Sequence, residues 1–142
     1  MARASRTWDH APDARATSSV YDRSVLIGVV SADNLELGAT HMGEIGYWLA
    51  QPYWGQGIMT AAVRDYVRYA FDELRLLRLT AHVLEFNAGS ARVLEKNGFK
   101  LEGRLRKHIR KDGELLDARF YGLLKEDVFF TDSACLDLHP FS

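Results

Sequence analysis

The apolar positions of the chain fall into segments of two periods. Between residues 58 and 71, apolar side chains recur at 58, 59, 62, 63, 66, 67, 70 and 71, with Thr60, Arg64, Asp65 and Arg68 opposite. This is helical spacing with one buried stripe, and it predicts a helix over Ile58 to Leu74. Elsewhere the runs are short, alternating or β-branched. "VYDRSVLIGVVSADNLEL" predicts two strands, with Val25 to Val30 rich in β-branched residues and "SADN" turning the chain. "GEIGYWLA" (43–50) predicts a third strand, with Ile45, Tyr47 and Leu49 on one side and Glu44, Gly46 and Trp48 on the other. "LLRLTAHVLEF" predicts the next strand. "NAGSARVLEKNGF" predicts a short helix with Asn87 as N-cap, Val93 and Leu94 inward and Gly98 as its stop. "FKLEGRLRKHIR" and "LLDARFYGLLKED" form a terminal hairpin around Asp112-Gly113. The order β-β-β-α-β-α-β-β predicts an α/β fold built as an α+β mixed sheet. It forms a single domain over residues 20–142, after an irregular arm over residues 1–19.

Composition narrows the function classes. The chain has 142 residues, 47% hydrophobic and 26% charged, which suits one soluble globular domain. A net charge of -1 provides no global basic field, so direct nucleic-acid binding is not expected. No apolar run has membrane-spanning length. The N-terminal stretch is basic and small-residue-rich, without the apolar centre of a signal peptide. The single cysteine, Cys135, fits a reducing compartment, and a cytoplasmic protein is expected. No metal is expected.

The stretch "QPYWGQGIMTAAVRDYVRYAF" (51–71) carries the first chemical signal. Gly55 and Gly57 stand between a strand and a helix. One reading is a plain turn. The other is an anion cradle, because a helix start presents unpartnered N–H groups and the positive end of its dipole. The spacing alone leaves both open. A P-loop is excluded because no Gly-Lys-Ser/Thr follows the required spacers. A dinucleotide fingerprint would need a third glycine where Thr60 stands.

The same segment resembles the pyrophosphate-binding loop of the GNAT acetyltransferases, and a second motif accompanies it. Residues Glu44-Ile45-Gly46-Tyr47-Trp48-Leu49 and Pro52-Tyr53-Trp54-Gly55-Gln56-Gly57-Ile58 are followed by Asn87, Ser90, Arg92-Val93-Leu94-Glu95-Lys96 and Gly98-Phe99. The pattern is most similar to the branch that acetylates N-terminal amines of ribosomal proteins and covers about residues 20–127. The resemblance implies a GNAT-like fold, a central mixed sheet with splayed parallel strands flanked by helices. Acetyl-CoA is then the implied co-substrate, with the strand ending at Leu49 splaying from the strand Arg78 to Val83. It implies that backbone groups around Trp48 and Leu49 pair with pantetheine and orient the thioester oxygen. The N–H groups of Gln56, Gly57, Ile58, Met59 and Thr60 would take the pyrophosphate, Trp54 and Gly55 would also bind the cofactor, and Asn87 and Ser90 would meet the CoA arm.

For catalysis, the resemblance implies Ser90 as the group that bonds the departing sulfur and Glu44 as the base acting through water. The bland alternatives are a helix cap for Ser90 and Asn87 and a solvated strand carboxylate for Glu44. His41 and His82 are rival bases, and Asp117 and Tyr121 are further candidates for the amine pocket. The aromatic cluster Tyr47, Trp48, Tyr53 and Trp54 reads as core and channel wall, and the basic run 104–111 as a solvated face. Two departures from the family pattern stand out. Leu94 replaces the tyrosine of a common Tyr-Glu-Lys triplet, and Pro52 stands where glutamine or arginine is frequent. By the same comparison the N-terminal helices are largely missing, which leaves a sheet face open and suggests a homodimer. The expected activity is acetyl transfer to a primary amine, a protein N-terminus or a small molecule. The alternatives are a non-catalytic CoA-binding module and a truncated family member.

Overall fold

The computed structural model describes residues 9–10, 17–33 and 41–128. The elements are β1 (Asp9–His10), β2 (Ser18–Asp22), β3 (Val25–Asp33), β4 (Met42–Leu49), α1 (Ile58–Asp72), β5 (Arg78–Leu84), α2 (Ala88–Lys96), β6 (Lys100–Lys111) and β7 (Glu114–Leu124). They form one seven-stranded mixed sheet in the order β1-β2-β3-β4-β5-β7-β6. The α+β mixed sheet expected from the sequence is therefore present. Residues 1–19, expected to be an irregular arm, supply β1 and the first two residues of β2.

Of the "SADN" positions expected to turn the chain, Asn34 lies outside the described residues. Ser31 to Asp33 continue β3, and the chain reverses at Arg23-Ser24, both with positive φ (52° and 75°). Neither residue is one that favours the left-handed region, so composition gave no turn signal there. At the far end, Asp112 (φ 52°) and Gly113 (φ 82°) make the expected hairpin turn. β7 ends at Leu124, whose N–H donates to Asp127 Oδ2 (3.1 Å) at the start of a helical turn over 125–128.

Both helices lie on one face of the sheet. The apolar stripe of α1, including Val63, Tyr66, Val67 and Ala70, is buried against Ile27, Val30 and Ile45 from the strands. α2 joins through Tyr47 Oη to Ser90 (2.9 Å) and Tyr121 Oη to Glu95 Oε2 (3.0 Å). Asn97 Nδ2 donates to Thr60 O (3.1 Å) and ties the two helices together. α1 ends two residues before the predicted Leu74, with Arg75 in the left-handed region (φ 60°). The opposite sheet face, which carries Glu44, Gly46 and Trp48, is covered by neither helix. Among the described residues no helix is long and apolar enough to cross a membrane.

β6 carries two bulges against β7. The first inserts Glu102 between Leu101 and Gly103, and its carboxylate takes a two-pronged contact from Arg78 (2.9 and 2.6 Å). That pair lies directly over Gly122, where a β-carbon would sit 2.2 Å from Glu102 Oε2. The second sets residues 106–108 against Asp117 alone. Lys107 takes φ 50°, and its N–H donates to Asp117 Oδ1 (2.8 Å). Such bulges re-aim side chains near sites.

Leu94 is fully buried at the α2–sheet contact. Leu94→Ala should cost about 2–5 kcal/mol, the range for a buried leucine that leaves a cavity. Urea unfolding followed by circular dichroism measures this as a fall in midpoint at unchanged slope.

Candidate active site

The central strands pair only briefly. β4 and β5 run parallel through Met42↔Arg78, Gly43↔Leu79 and Glu44↔Thr80 and then part. β4 stays with β3 as far as Gly28↔Leu49, and β5 stays with β7 as far as Leu84↔Ala118. Ile45 to Leu49 and Ala81 to Leu84 therefore flank a gap with no ladder across it. The ladder alternation says which peptide groups face that gap. Ala50 N–H donates to Ile27 O (2.8 Å), so Trp48, Gly46 and Glu44 exchange their bonds with β3. The peptide groups of Ile45, Tyr47 and Leu49 then point into the gap. Trp48 lines the cavity described below, but its backbone is engaged with β3, and the peptide group beside it that faces the gap is that of Tyr47. The Leu49 carbonyl accepts from Trp54 Nε1 (2.6 Å), so one of its lone pairs is already used.

After a single 3₁₀ turn over Gln51–Tyr53, both glycines take φ 76°. Gly57 is the N-cap of α1, with no side-chain cap bond, and its carbonyl accepts the first helical bond from Ala61 (3.1 Å). The N–H groups of Ile58, Met59 and Thr60 precede that first donor and lack helical partners. No acidic residue stands in the first turn, so the positive dipole end is not neutralised. A β-carbon on Gly55 or Gly57 would meet nothing within 4 Å. The turn reading holds, and the turn bares the N–H groups that the cradle reading requires.

A cavity of about 790 Å³ opens over this loop. Its wall takes Tyr47, Trp48 and Leu49 from β4, Trp54, Gly55 and Gly57 to Thr60 from the loop and α1, and Asn87 to Ser90 from the start of α2. Gln56 is not part of it; its side-chain amide donates back to Pro52 O (3.2 Å). Asn87 caps α2 by accepting the Ser90 N–H on Oδ1 (3.1 Å), which leaves its amide nitrogen as a donor.

Two cationic wall residues escaped the sequence reading, and Tyr47 was read without its hydrogen bonds. Arg92 and Lys96 stand one turn apart on α2 and bring two cations to the cavity. Their i, i+4 spacing with Ala88 was the available signal. Tyr47 was read only as core or channel wall. Its hydroxyl lies 2.9 Å from both Ser90 Oγ and the Ser90 carbonyl. Burial pushes the Tyr47 phenol up to about 12, more than the Ser90 hydrogen bond lowers it, so it stays a donor at neutral pH. A tyrosine on a buried strand face needs a polar partner, and that was the clue.

The two predicted catalytic residues lie on opposite faces. Ser90 sits on the helix face. Glu44 sits on the open face, where its Oε2 contacts His82 Nδ1 across the point at which the strands part. His108 packs edge-on to His82 with ring centroids 5.1 Å apart. Of the other candidates, Asp117 and Tyr121 have structural engagements, and His41 is an exposed residue bound through its backbone. The His41 carbonyl accepts from Leu77 and Arg78, Asp117 holds Lys107 and Arg104, and Tyr121 is 1% exposed in the core. Leu94, where the triplet tyrosine was missing, is buried and outside the cavity wall. Arg104, in the basic run, pairs with Glu85 and Asp117. Among the described residues no group of three or more His, Cys, Asp or Glu is placed to hold a metal.

The arrangement has known counterparts. A family profile described as acetyltransferase (GNAT) domain matches residues 2–100. The Probable N-acetyltransferase YjcK of Bacillus subtilis is 46% identical over 102 residues, covering 72% of this chain and 56% of the relative. The crystal structure of ribosomal-protein-S5-alanine acetyltransferase from Vibrio fischeri is 31% identical with a TM-score of 0.76, over 80% of this chain and 63% of that one. Mycobacterium smegmatis RimJ, solved in complex with CoA-disulfide, is 28% identical with a TM-score of 0.75, over 85% of this chain and 61% of that one. The chain spans about half the length of the curated relatives it matches. The resemblance drawn from the two motifs is borne out by these matches, and the chain belongs to the GNAT acetyltransferase family, which uses acetyl-CoA.

Proposed function

We propose that the chain transfers acetyl from acetyl-CoA to a primary amine by direct attack on the thioester, and that the acceptor is a protein N-terminal amine. The observation that carries this reading is the gap beyond Glu44↔Thr80, which opens beside a helix start whose cap has no side chain. The inward peptide groups of Tyr47 and Leu49 suit the pantetheine amides. One inward N–H would hold the thioester oxygen as charge develops on it. The N–H groups from Ile58 to Thr60 suit the pyrophosphate, and Asn87, Arg92 and Lys96 add a donor and two cations along the same wall. The protein acceptor is supported by relatives named for alanine acetylation of a ribosomal protein.

Two protons must move. The amine gives one up before attack on the open face, where Glu44 stands. The second leaves the nitrogen as the sulfur departs. Ser90 Oγ suits that end: with the Tyr47 hydrogen on the Ser90 carbonyl, the serine hydroxyl is the donor, and the Tyr47 hydroxyl can turn to Oγ as its proton passes to the sulfur. No covalent enzyme intermediate is required.

Two outcomes test this. Gly57→Asp places a carboxylate over the cradle, while Gly57→Asn keeps tolerance of the left-handed region without charge. Calorimetric titration with acetyl-CoA should show affinity lost by about 100-fold in Gly57→Asp and by under about fivefold in Gly57→Asn. Equal losses would mean that backbone strain, and not anion repulsion, acts there. Ser90→Ala and Tyr47→Phe should each lower kcat by about tenfold, the scale of one hydrogen bond of about 1–1.5 kcal/mol, at nearly unchanged acetyl-CoA affinity. Unaltered kcat in both variants would remove the relay from the mechanism.

A further inference from the structure

We propose that His82, held by Glu44 and flanked by His108, is the group that takes the proton from the incoming amine. This rests on the acyl-transfer reading above and replaces its carboxylate base with an imidazole.

Three strands build the cluster. Glu44 is the last residue of β4 in the parallel ladder. His82 lies two residues beyond Thr80, its last partner position on β5, on the same face as Thr80 by strand alternation. Their contact therefore bridges the mouth of the gap on the open side, opposite the cavity wall that holds Tyr47 and Ser90. His108 arrives from β6, which is separated from β5 by β7, and only the bulge over 106–108 lets it reach. The Lys107 N–H bond to Asp117, with Arg104 on the same carboxylate, pins that bulge. An edge-to-face ring contact then limits rotation of the His82 imidazole.

The chemistry follows from the contact. A carboxylate only accepts, so the hydrogen of neutral His82 sits on Nδ1 and points to Glu44. Nε2 is left with its lone pair for the substrate. Imidazoles as a class match a proton transfer near neutral pH better than carboxylates do. The side chain of His82 is 32% exposed, so the proton it gains has a route to solvent. The titratable groups that face it are Glu44 from β4 and His108 from β6, while its cross-strand neighbour on β7, Phe120, carries none.

The step balances. The ammonium passes one proton to Nε2, and the amine nitrogen attacks the thioester carbon. The C–S bond then breaks and the nitrogen's second proton passes to the sulfur through Ser90. Glu44 and His108 are positioning residues, and neither changes its bonding to the substrate.

The test uses the full chain, acetyl-CoA and two acceptors: a short peptide with a free N-terminal alanine, and hydroxylamine, which is unprotonated at neutral pH and needs no base before attack. His82→Asn keeps a donor for Glu44, and His82→Ala leaves space for added imidazole. With the peptide at pH 7, both variants should lose about 100-fold or more in kcat/KM, at acetyl-CoA affinity within about twofold of the parent. The loss should shrink as pH rises and the free amine accumulates, and imidazole should restore part of it in His82→Ala. Transfer to hydroxylamine should fall by less than about threefold. Peptide activity within about threefold of the parent in His82→Asn overturns the proposal, and so does an equal loss with both acceptors, which marks a structural role. A parent that binds acetyl-CoA but acetylates neither probe overturns the acyl-transfer reading as well. A functioning parent untouched by His82 substitution overturns only the present inference.

Discussion

The arrangement depends on one constraint: β4 and β5 cannot satisfy each other's backbone beyond three residue pairs. Each strand has a longer commitment on its other side, β4 to β3 and β5 to β7. The inward peptide groups of the parted segments are left to partners outside the sheet, and buried N–H and C=O groups of that kind need one. An extended ligand rich in amides supplies partners without any change of fold. In the proposed reading the gap is a built edge that a ligand would complete, in the manner of strand addition. Here the edge lies between two strands of the sheet, each paired on its other side.

The gap also sorts the chemistry by sheet face. On the helix side lie the anion cradle, the two cations of α2 and the Ser90–Tyr47 pair. On the other side lie Glu44, His82 and His108. Residues one apart on β4, such as Glu44 and Ile45, point to opposite faces, so in the proposed reaction a single strand would serve donor and acceptor sides at once. In the proposed reaction the cofactor and the amine would approach from different faces of the sheet, without competing for one entrance.

Much of this was legible from residue patterns, and the failures have physical causes. The α1 stripe, the Asp112-Gly113 turn and the Asn87 cap rest on local rules that tertiary packing did not override. The glycine pair was legible as either a turn or a cradle, because the same local geometry makes both. The reversal at Arg23-Ser24 was not, since strand pairing imposes left-handed backbone on residues that do not seek it. The β6 bulges were invisible for the same reason: register is a property of two strands. Without the bulge at 106–108, nothing in the sequence places His108 near His82. Tyr47 was assigned to the right face but not to its role, because its partner lies 43 residues away. Leu94 marked an absent tyrosine by resemblance; it is fully buried, and the hydroxyl that reaches Ser90 comes from Tyr47 on β4.

The central claim is that the parted edge of β4 is the surface a CoA ligand completes. Residue-resolved amide hydrogen exchange with and without acetyl-CoA tests it most directly. In the free protein the Trp48 N–H, bonded to β3, should exchange slowly, and those of Tyr47 and Leu49 should exchange fast. Acetyl-CoA should slow Tyr47 and Leu49, together with the N–H groups of Ile58 to Thr60, and leave Trp48 unchanged. Protection confined to the helix start, with Tyr47 and Leu49 exchanging as before, would contradict the account.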